Sequence, residues 1–278
     1  MGKVMVIDLG LCNGCYNCQI VCKDEHVAND WPGIAKPQPD TGQFWTQVHD
    51  LVRGSVPKVK VTYHNSICQH CQNAPCIEAC NSKAIYRRDD GAVIIDPDKC
   101  RGHQMCMAAC PYPGSIFFND ALNIAQKCTL CAHLLDKGWQ DTRCADACPT
   151  GARVFGEEEE LKDLIAKSEP LPPSIPGDFK PRIYYVNLPK KFIAGAIYDQ
   201  EADACTEGAA VTATNVETGA KVKTITDSYG DFWLNDLKDG KYVLLIEKQG
   251  YMPEKFGPVD VTEKDINVGD ITIWKMSS

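Results

Sequence analysis

Two kinds of hydrophobic pattern divide the chain. From about residue 191 onward, short stretches of alternating character recur at regular spacing: Phe192–Tyr198, Ala209–Val216, Lys221–Thr226, Asp231–Leu237, Tyr242–Lys248, Lys255–Val261 and Ile266–Trp274. A period of two puts every second side chain on one face, so each stretch predicts a half-buried strand. Turn residues separate them at Glu217-Thr218-Gly219, Ser228-Tyr229-Gly230 and Lys238-Asp239-Gly240, and Asp-Gly is a strong hairpin signal. Seven short strands so spaced predict an all-β sandwich or small barrel.

Before residue 191 the apolar runs are short and broken. Ala84-Ile85-Tyr86, the turn Asp89-Asp90-Gly91 and Ala92–Pro97 predict two antiparallel strands. Glu157–Glu160 followed by Leu161, Leu164 and Ile165 predicts a short helix whose first-turn acids suit the helix dipole. The proline-rich stretch 169–177 should be extended, with a strand at Pro181–Val186. Between Cys22 and Cys68, Trp31-Pro32-Gly33, Pro37, Pro39 and Phe44–Val48 suggest an ordered loop and a strand. Trp45 and Val48 would then pack in a core, or the strand would cover a site or meet a partner.

With 278 residues, about two domains of roughly 100–200 residues are expected, and the change of pattern puts them at 1–190 and 191–278. The composition, 44% hydrophobic and 24% charged, is that of a folded chain. No run reaches the roughly 18–20 apolar residues that span a bilayer. The start, MGKVMVIDLGLCNGC, lacks the apolar core of a secretory signal, so a cytoplasmic location is expected. A formal charge of −8 argues against nucleic acid or an anionic membrane as partner.

Sixteen cysteines alter the picture. Without an export signal a disulfide framework is not expected, so these thiols are inert, catalytic or metal-bound. Fifteen lie between residues 12 and 148 in four groups. The first is Cys12-x2-Cys15-x2-Cys18-x3-Cys22, and the second Cys68-x2-Cys71-x4-Cys76-x3-Cys80. The third runs Cys100-x2-His103-x2-Cys106-x3-Cys110-Pro111, and the fourth Cys128-x2-Cys131-x12-Cys144-x3-Cys148-Pro149. The first spacing is that of bacterial ferredoxins, and the third matches it but for a histidine. Three closely spaced thiolates wrap one corner region of an iron–sulfur cube, and the fourth serves the other cluster of a pair. Structural zinc prefers two separated ligand pairs, which the fourth group alone resembles. A zinc-binding scaffold is therefore the weaker alternative. The compact stretch between Cys80 and Cys100 favours a nested arrangement, with the second and third groups inserted between the first and fourth.

These motifs, with Lys127-Cys128-Thr129-Leu130-Cys131, Gly138 and Pro149-Thr150-Gly151-Ala152, resemble the iron–sulfur β subunits of the dimethyl-sulfoxide-reductase (molybdopterin oxidoreductase) family. Formate dehydrogenase, nitrate reductase and polysulfide reductase have such subunits. The resemblance covers residues 1 to about 190. It implies one [4Fe–4S] cluster on Cys12, Cys15, Cys18 and Cys148, and a second on Cys22, Cys128, Cys131 and Cys144. It implies a third on Cys68, Cys71, Cys76 and Cys110. It further implies a large molybdopterin-binding catalytic subunit as partner, carrying molybdenum held by two pterin guanine dinucleotides, in a heterodimer or a multiple of it. This chain would be non-catalytic and would pass electrons, as such subunits do in respiratory formate, nitrate or sulfur-compound oxidoreductases.

The remaining set, Cys80, Cys100 and Cys106, is one cysteine short, which rules out a fully cysteine-ligated cluster. Either His103 is the fourth ligand, or three cysteines hold a cluster lacking one iron, or the site is empty. Asn81-Ser82-Lys83 after Cys80, where the family usually has Pro-Thr-Gly, points to damage at this site. His70, inside the second motif, is expected to hydrogen-bond a cluster sulfur or the backbone. His26, His49, His64 and His133 are expected at the surface or in satisfied structural roles.

The C-terminal pattern, Gly195–Asp199, Gly208–Val211, Thr226–Phe232, Asp239–Tyr242 and Lys248–Tyr251, resembles carboxypeptidase-regulatory-like domains. Such domains usually bind or space without chemistry, and Cys205 there is a bystander. The fold class expected is α+β: a nested, bacterial-ferredoxin-like iron–sulfur domain followed by a seven-stranded sandwich or barrel.

Overall fold

The structure is a computed structural model that describes residues 2–276. The chain forms two compact units, one of Met1–Asp50 with Tyr63–Leu188 and one of Leu51–Thr62 with Pro189–Ser278.

In chain order the elements up to residue 188 are β1 (Lys3–Asp8), α1 (Asn17–Val27), β2 (Thr46–Ser55), β3 (Lys58–Ile67), α2 (Pro75–Glu78), β4 (Ile85–Arg87), β5 (Val93–Ile95), α3 (Met105–Ala108), β6 (Ile116–Asn119), β7 (Ile124–Lys127), α4 (Ala132–Leu135), α5 (Arg143–Asp146), β8 (Arg153–Glu157), α6 (Lys162–Ile165) and β9 (Ile183–Val186). Apart from α1 the helices are single turns. The chain reverses at each metal-type motif, and few residues are left for regular structure. β1 is the centre of a three-stranded sheet, antiparallel to β8 and parallel to β9. Val4, Met5, Val6 and Ile7 are buried, consistent with a strand covered on both faces. β4 and β5 form one antiparallel hairpin between Cys80 and Cys100, as the sequence suggests, and β6 and β7 form a second between Cys110 and Cys128.

The sequence reading of a helix over Glu157–Glu160 is wrong. Glu157 ends β8, where it pairs with Lys3 across the ladder and by a salt bridge of 3.1 Å. Only Lys162–Ile165 are helical, and no residue of that turn is fully buried. Ladder pairing of Glu157 with β1 overrides the helical preference of the acidic run.

The second unit contains all seven strands read from the alternation, plus a two-residue edge strand. They are β10 (Lys191–Asp199), β11 (Ala204–Cys205), β12 (Ala210–Asn215), β13 (Lys221–Ile225), β14 (Asp231–Leu237), β15 (Lys241–Glu247), β16 (Glu254–Asp260) and β17 (Ile266–Ile273). One sheet has the order β11-β10-β14 with β17 parallel to β10, and the other has the order β13-β12-β15-β16. In β15, Tyr242, Leu244 and Ile246 are buried while their neighbours are not. They share one core with Phe232 and Leu234 of β14, Ile197 of β10 and Ile271 of β17. Two sheets closing on one apolar layer make a sandwich.

The tip of the β2–β3 hairpin, placed before residue 190 by the sequence reading, belongs to this second unit. Arg53 donates Nε–H and Nη2–H to the two oxygens of Asp265, at 2.9 and 2.7 Å. Asp265 Oδ1 also accepts the Phe192 amide at 2.9 Å. Lys58 pairs with Asp231, and Lys60 lies over the Trp233 ring, 4.7 Å from its centroid. A two-pronged, partly buried arginine–carboxylate pair fixes geometry as well as energy. Replacing Asp265 by Ala should remove the carboxylate from Arg53, leaving its Nη2–H only the Lys190 carbonyl, and cost about 1–3 kcal/mol. Limited proteolysis of the full chain should then cut between residues 51 and 62 where the parent resists. An equally resistant variant would show that this pair does not hold the tip.

Candidate metal centres

Eleven of the fifteen clustered thiols line three pockets, each drawn from distant parts of the chain. Cys22 on α1 lines one with Cys128, Cys131 and Cys144. Cys68, Cys71, Cys76 and Cys110 line another. Cys80, Cys100, Cys106 and His103 line a third. Cys18, one turn before Cys22 on α1, feels the charges of Cys12 and Cys148. Cys15 is exposed on the same loop as Cys12. Cys205 is exposed on β11 in the other unit.

Among the described residues no three His, Cys, Asp or Glu side chains converge as a single ion requires; zinc asks for sulfurs at about 2.3 Å from one point. The sulfurs instead line three shared pockets, four cysteines in two of them and three with His103 in the other.

Burial makes the deepest of these thiols poor acids, whereas, against burial, hydrogen bonds from Ser82 and from Thr150, with neighbouring amides, hold Cys80 and Cys148 below the ordinary value. Burial pushes Cys71 up to about 12, with Cys68, Cys110 and Cys76 adding to the effect. Burial likewise takes Cys76 and Cys128 up to about 12 and Cys110 up to about 11. Cys22 is held well above the ordinary thiol value by burial and then by Cys128, Cys131 and Cys144. Such groups do not ionise near neutral pH by themselves, whereas a metal takes the proton's place and stabilises the thiolate. Polar hydrogens approach several sulfurs: Leu130 N–H to Cys128 at 3.3 Å, Ala125 N–H to Cys100 at 3.5 Å and Asn65 Nδ2–H to Cys12 at 3.5 Å.

Cysteines of different sets lie within electrostatic reach of one another. Cys144 acts on Cys18, Cys68 acts on Cys128, and Cys106 acts on both Cys76 and Cys110. The Cys12 set therefore neighbours the Cys22 set, which neighbours the Cys68 set, which neighbours the Cys80 set. The arrangement is a row.

Two buried cations stand at the junctions of that row. Arg153, 4% exposed, donates from Nη2 to Thr46 Oγ1 at 2.8 Å and to Asn65 Oδ1 at 2.7 Å. Burial pulls its pKa down, but Cys144 and Cys18 together hold it above the ordinary value. Lys127 is also buried, donates to the carbonyls of Val93 and Cys128, and acts on Cys76, Cys110 and Cys128. The sequence reading did not single out either role. Arg153 follows Cys148 by five residues, and only the β1–β8 pairing shows where it goes.

The histidines divide. His70 Nδ1 accepts the Val93 amide at 3.0 Å, so the proton of the neutral ring sits on Nε2, which has no protein partner. Burial, then Lys127, holds its pKa well below the ordinary value. His70 lines the Cys68 cavity, so an unspent N–H donor stands at a thiol-ringed volume. The reading of His26 as a surface or satisfied group is wrong: it is buried, its Nδ1 has no partner among the described residues, and burial takes it down to about 3. His133 is buried too, and its Nε2 meets Glu25 Oε1 at 3.0 Å, a structural role, while its Nδ1 has no partner among the described residues. His26 packs on Trp45 with ring centroids 4.5 Å apart, and both line the Cys22 cavity. Trp45 is thus both core and cover. These donors and thiols fit iron–sulfur clusters: sulfur ligands, apolar walls and spare N–H groups.

Comparison with known proteins agrees. Residues 59–158 match the family model of a 4Fe-4S dicluster domain, and residues 193–273 match that of a carboxypeptidase regulatory-like domain. The pyrogallol hydroxytransferase small subunit of Pelobacter acidigallici is 35% identical over 97% of this chain and 98% of its own length. A Halobacterium salinarum protein named as a dimethyl sulfoxide reductase iron–sulfur subunit is 36% identical over 59% of this chain and 69% of its own. The arsenate respiratory reductase iron–sulfur subunit of Shewanella sp. is 30% identical over 66% and 94%. The chain belongs to the iron–sulfur subunits of the dimethyl-sulfoxide-reductase family.

Proposed function

We propose that this chain is the iron–sulfur subunit of a molybdopterin enzyme that moves hydroxyl groups between pyrogallol and phloroglucinol. Its partner is then a large catalytic subunit carrying molybdenum bis-pterin guanine dinucleotide, paired with it as a heterodimer in the cytoplasm. Three [4Fe–4S] clusters sit on Cys12, Cys15, Cys18 and Cys148; on Cys22, Cys128, Cys131 and Cys144; and on Cys68, Cys71, Cys76 and Cys110. The observation that carries the electron-transfer part is the row of thiol sets. The similarity along nearly the full length to a hydroxytransferase small subunit, sandwich domain included, carries the choice of reaction.

When bound, each cluster supplies a one-electron redox couple. The chain's own residues set the conditions. Thiolates replace buried thiols, His70 Nε2–H and the backbone amides of residues such as Leu130 offer hydrogen bonds to sulfur, and the walls exclude water. Each filled four-thiolate site brings a charge of about −2, which Arg153 and Lys127 offset from within. Hydroxyl transfer is redox-neutral over a cycle, so this reading needs no net current through the chain. A respiratory electron-transfer role is the second reading, favoured by the similarity to the arsenate respiratory reductase subunit. Co-purification with a haem-bearing membrane subunit would select it.

Three outcomes are expected. The purified complex should hold at least about twelve irons, four per cube, with matching acid-labile sulfide, and should convert pyrogallol; colourless, zinc-rich protein would contradict it. Chelating the metal should unfold the ferredoxin-like region up to about residue 190, apart from the hairpin tip at 51–62, and spare the strands after it, because the ligand sets join distant segments. Hydrogen exchange reads this, and equal loss of protection in both would contradict it. Arg153→Gln should lower the potentials of the two flanking clusters in an EPR-monitored titration, and Arg153→Lys should restore most of the shift. Unchanged potentials in the glutamine variant would remove Arg153 from charge compensation.

A further inference from the structure

We infer that the fourth set is a complete cluster site in which His103 supplies the fourth ligand to a [4Fe–4S] cluster. The inference rests on the reading that the all-cysteine sets hold such clusters.

The loop that carries His103 has the backbone of the loop that carries Cys15. In Cys12-Asn13-Gly14-Cys15-Tyr16-Asn17-Cys18, Gly14 has φ +68° and Tyr16 φ +60°. In Cys100-Arg101-Gly102-His103-Gln104-Met105-Cys106, Gly102 has φ +70° and Gln104 φ +58°. Left-handed conformations at non-glycine residues are uncommon, and here they fall at the same step of both loops. Each is followed at once by a helix, α1 in one case and α3 in the other. Both glycines are fixed by their surroundings as well. A Cβ on Gly14 would lie 2.2 Å from the Tyr63 ring, and one on Gly102 would lie 2.6 Å from Asn123 Oδ1. His103 stands where Cys15 stands, and both are exposed at the outer corner of the loop.

The second departure read in the sequence, Asn81-Ser82-Lys83, does not damage the site. Lys83 takes φ +52°, the conformation that Gly151 takes at +66° after Cys148. Ser82 Oγ lies 3.5 Å from Cys80 Sγ, as Thr150 Oγ1 lies 3.7 Å from Cys148 Sγ. The turn keeps its shape and its hydroxyl with other residues. His103 lines the same pocket as Cys80, Cys100 and Cys106, and its ring makes no hydrogen bond among the described residues.

A neutral imidazole nitrogen is a common metal ligand. Exchanging a thiolate for it removes one negative charge and raises the potential, as in Rieske centres. The set at the end of the row would then be its most easily reduced member.

The test uses the purified complex with three forms of this chain: parent, His103→Cys and His103→Ala. The parent should contain about sixteen irons, four per cube. Pulsed EPR of the reduced protein should show nitrogen hyperfine coupling from a ligand to one cluster. His103→Cys should keep the iron, lose that coupling and lower one potential, while His103→Ala should lose about one iron and gain the oxidised-state signal of a three-iron cluster. About twelve irons in the parent, or a three-iron signal already present there, would overturn the inference and leave the three all-cysteine clusters standing. A parent with no cluster iron would overturn the underlying reading and this inference together.

Discussion

A thiolate in an apolar cavity is stable only against a cation, and most of the first unit is arranged around that constraint. The described structure buries Cys18, Cys22, Cys68, Cys71, Cys76, Cys106, Cys128 and Cys144 among apolar side chains. Left as thiols, they would be small hydrophobic groups with little to hold the segments together. Occupied by iron and sulfide, they become cross-links between residues as far apart as Cys22 and Cys144. Short helical turns and two-stranded hairpins are enough secondary structure for such a unit, since the cross-links do the work that a large core does elsewhere.

Charge follows from the same constraint. A row of anionic clusters in a chain already at −8 needs compensation close at hand. Arg153 stands against the first two sets and Lys127 against the second and third, both almost out of contact with water. A buried cation without its anion is costly, so the two residues and the clusters depend on each other. Beyond the third set, the rise of Cys106 comes from burial, then from Cys100 and Cys80. A neutral histidine on that set lowers the charge by another route.

Much of this was legible in the sequence. Cysteine spacing is a local property, and it grouped the thiols and suggested nesting before any coordinates. Strict alternation likewise marked all seven long strands of the sandwich. What was not legible depends on contacts between distant segments. The role of Arg153 appears only once β8 pairs with β1, and the hairpin tip joins the second unit through Arg53 and Asp265, which are 212 residues apart. Glu157–Glu160 has helical composition, but the ladder with β1 claims Glu157 first. His26 looked ordinary because burial by Trp45 and His133 cannot be read from its neighbours in sequence. At Asn81-Ser82-Lys83 the backbone shape was not legible either, since a lysine takes the left-handed conformation normally left to glycine.

Anomalous diffraction at the iron absorption edge, from crystals of the purified complex, tests the central claim most directly. The account predicts compact iron peaks within the rings of the Cys12, Cys22, Cys68 and Cys80 sets, in that spatial order. Iron absent from these rings, or anomalous signal at them only at the zinc edge, would contradict it.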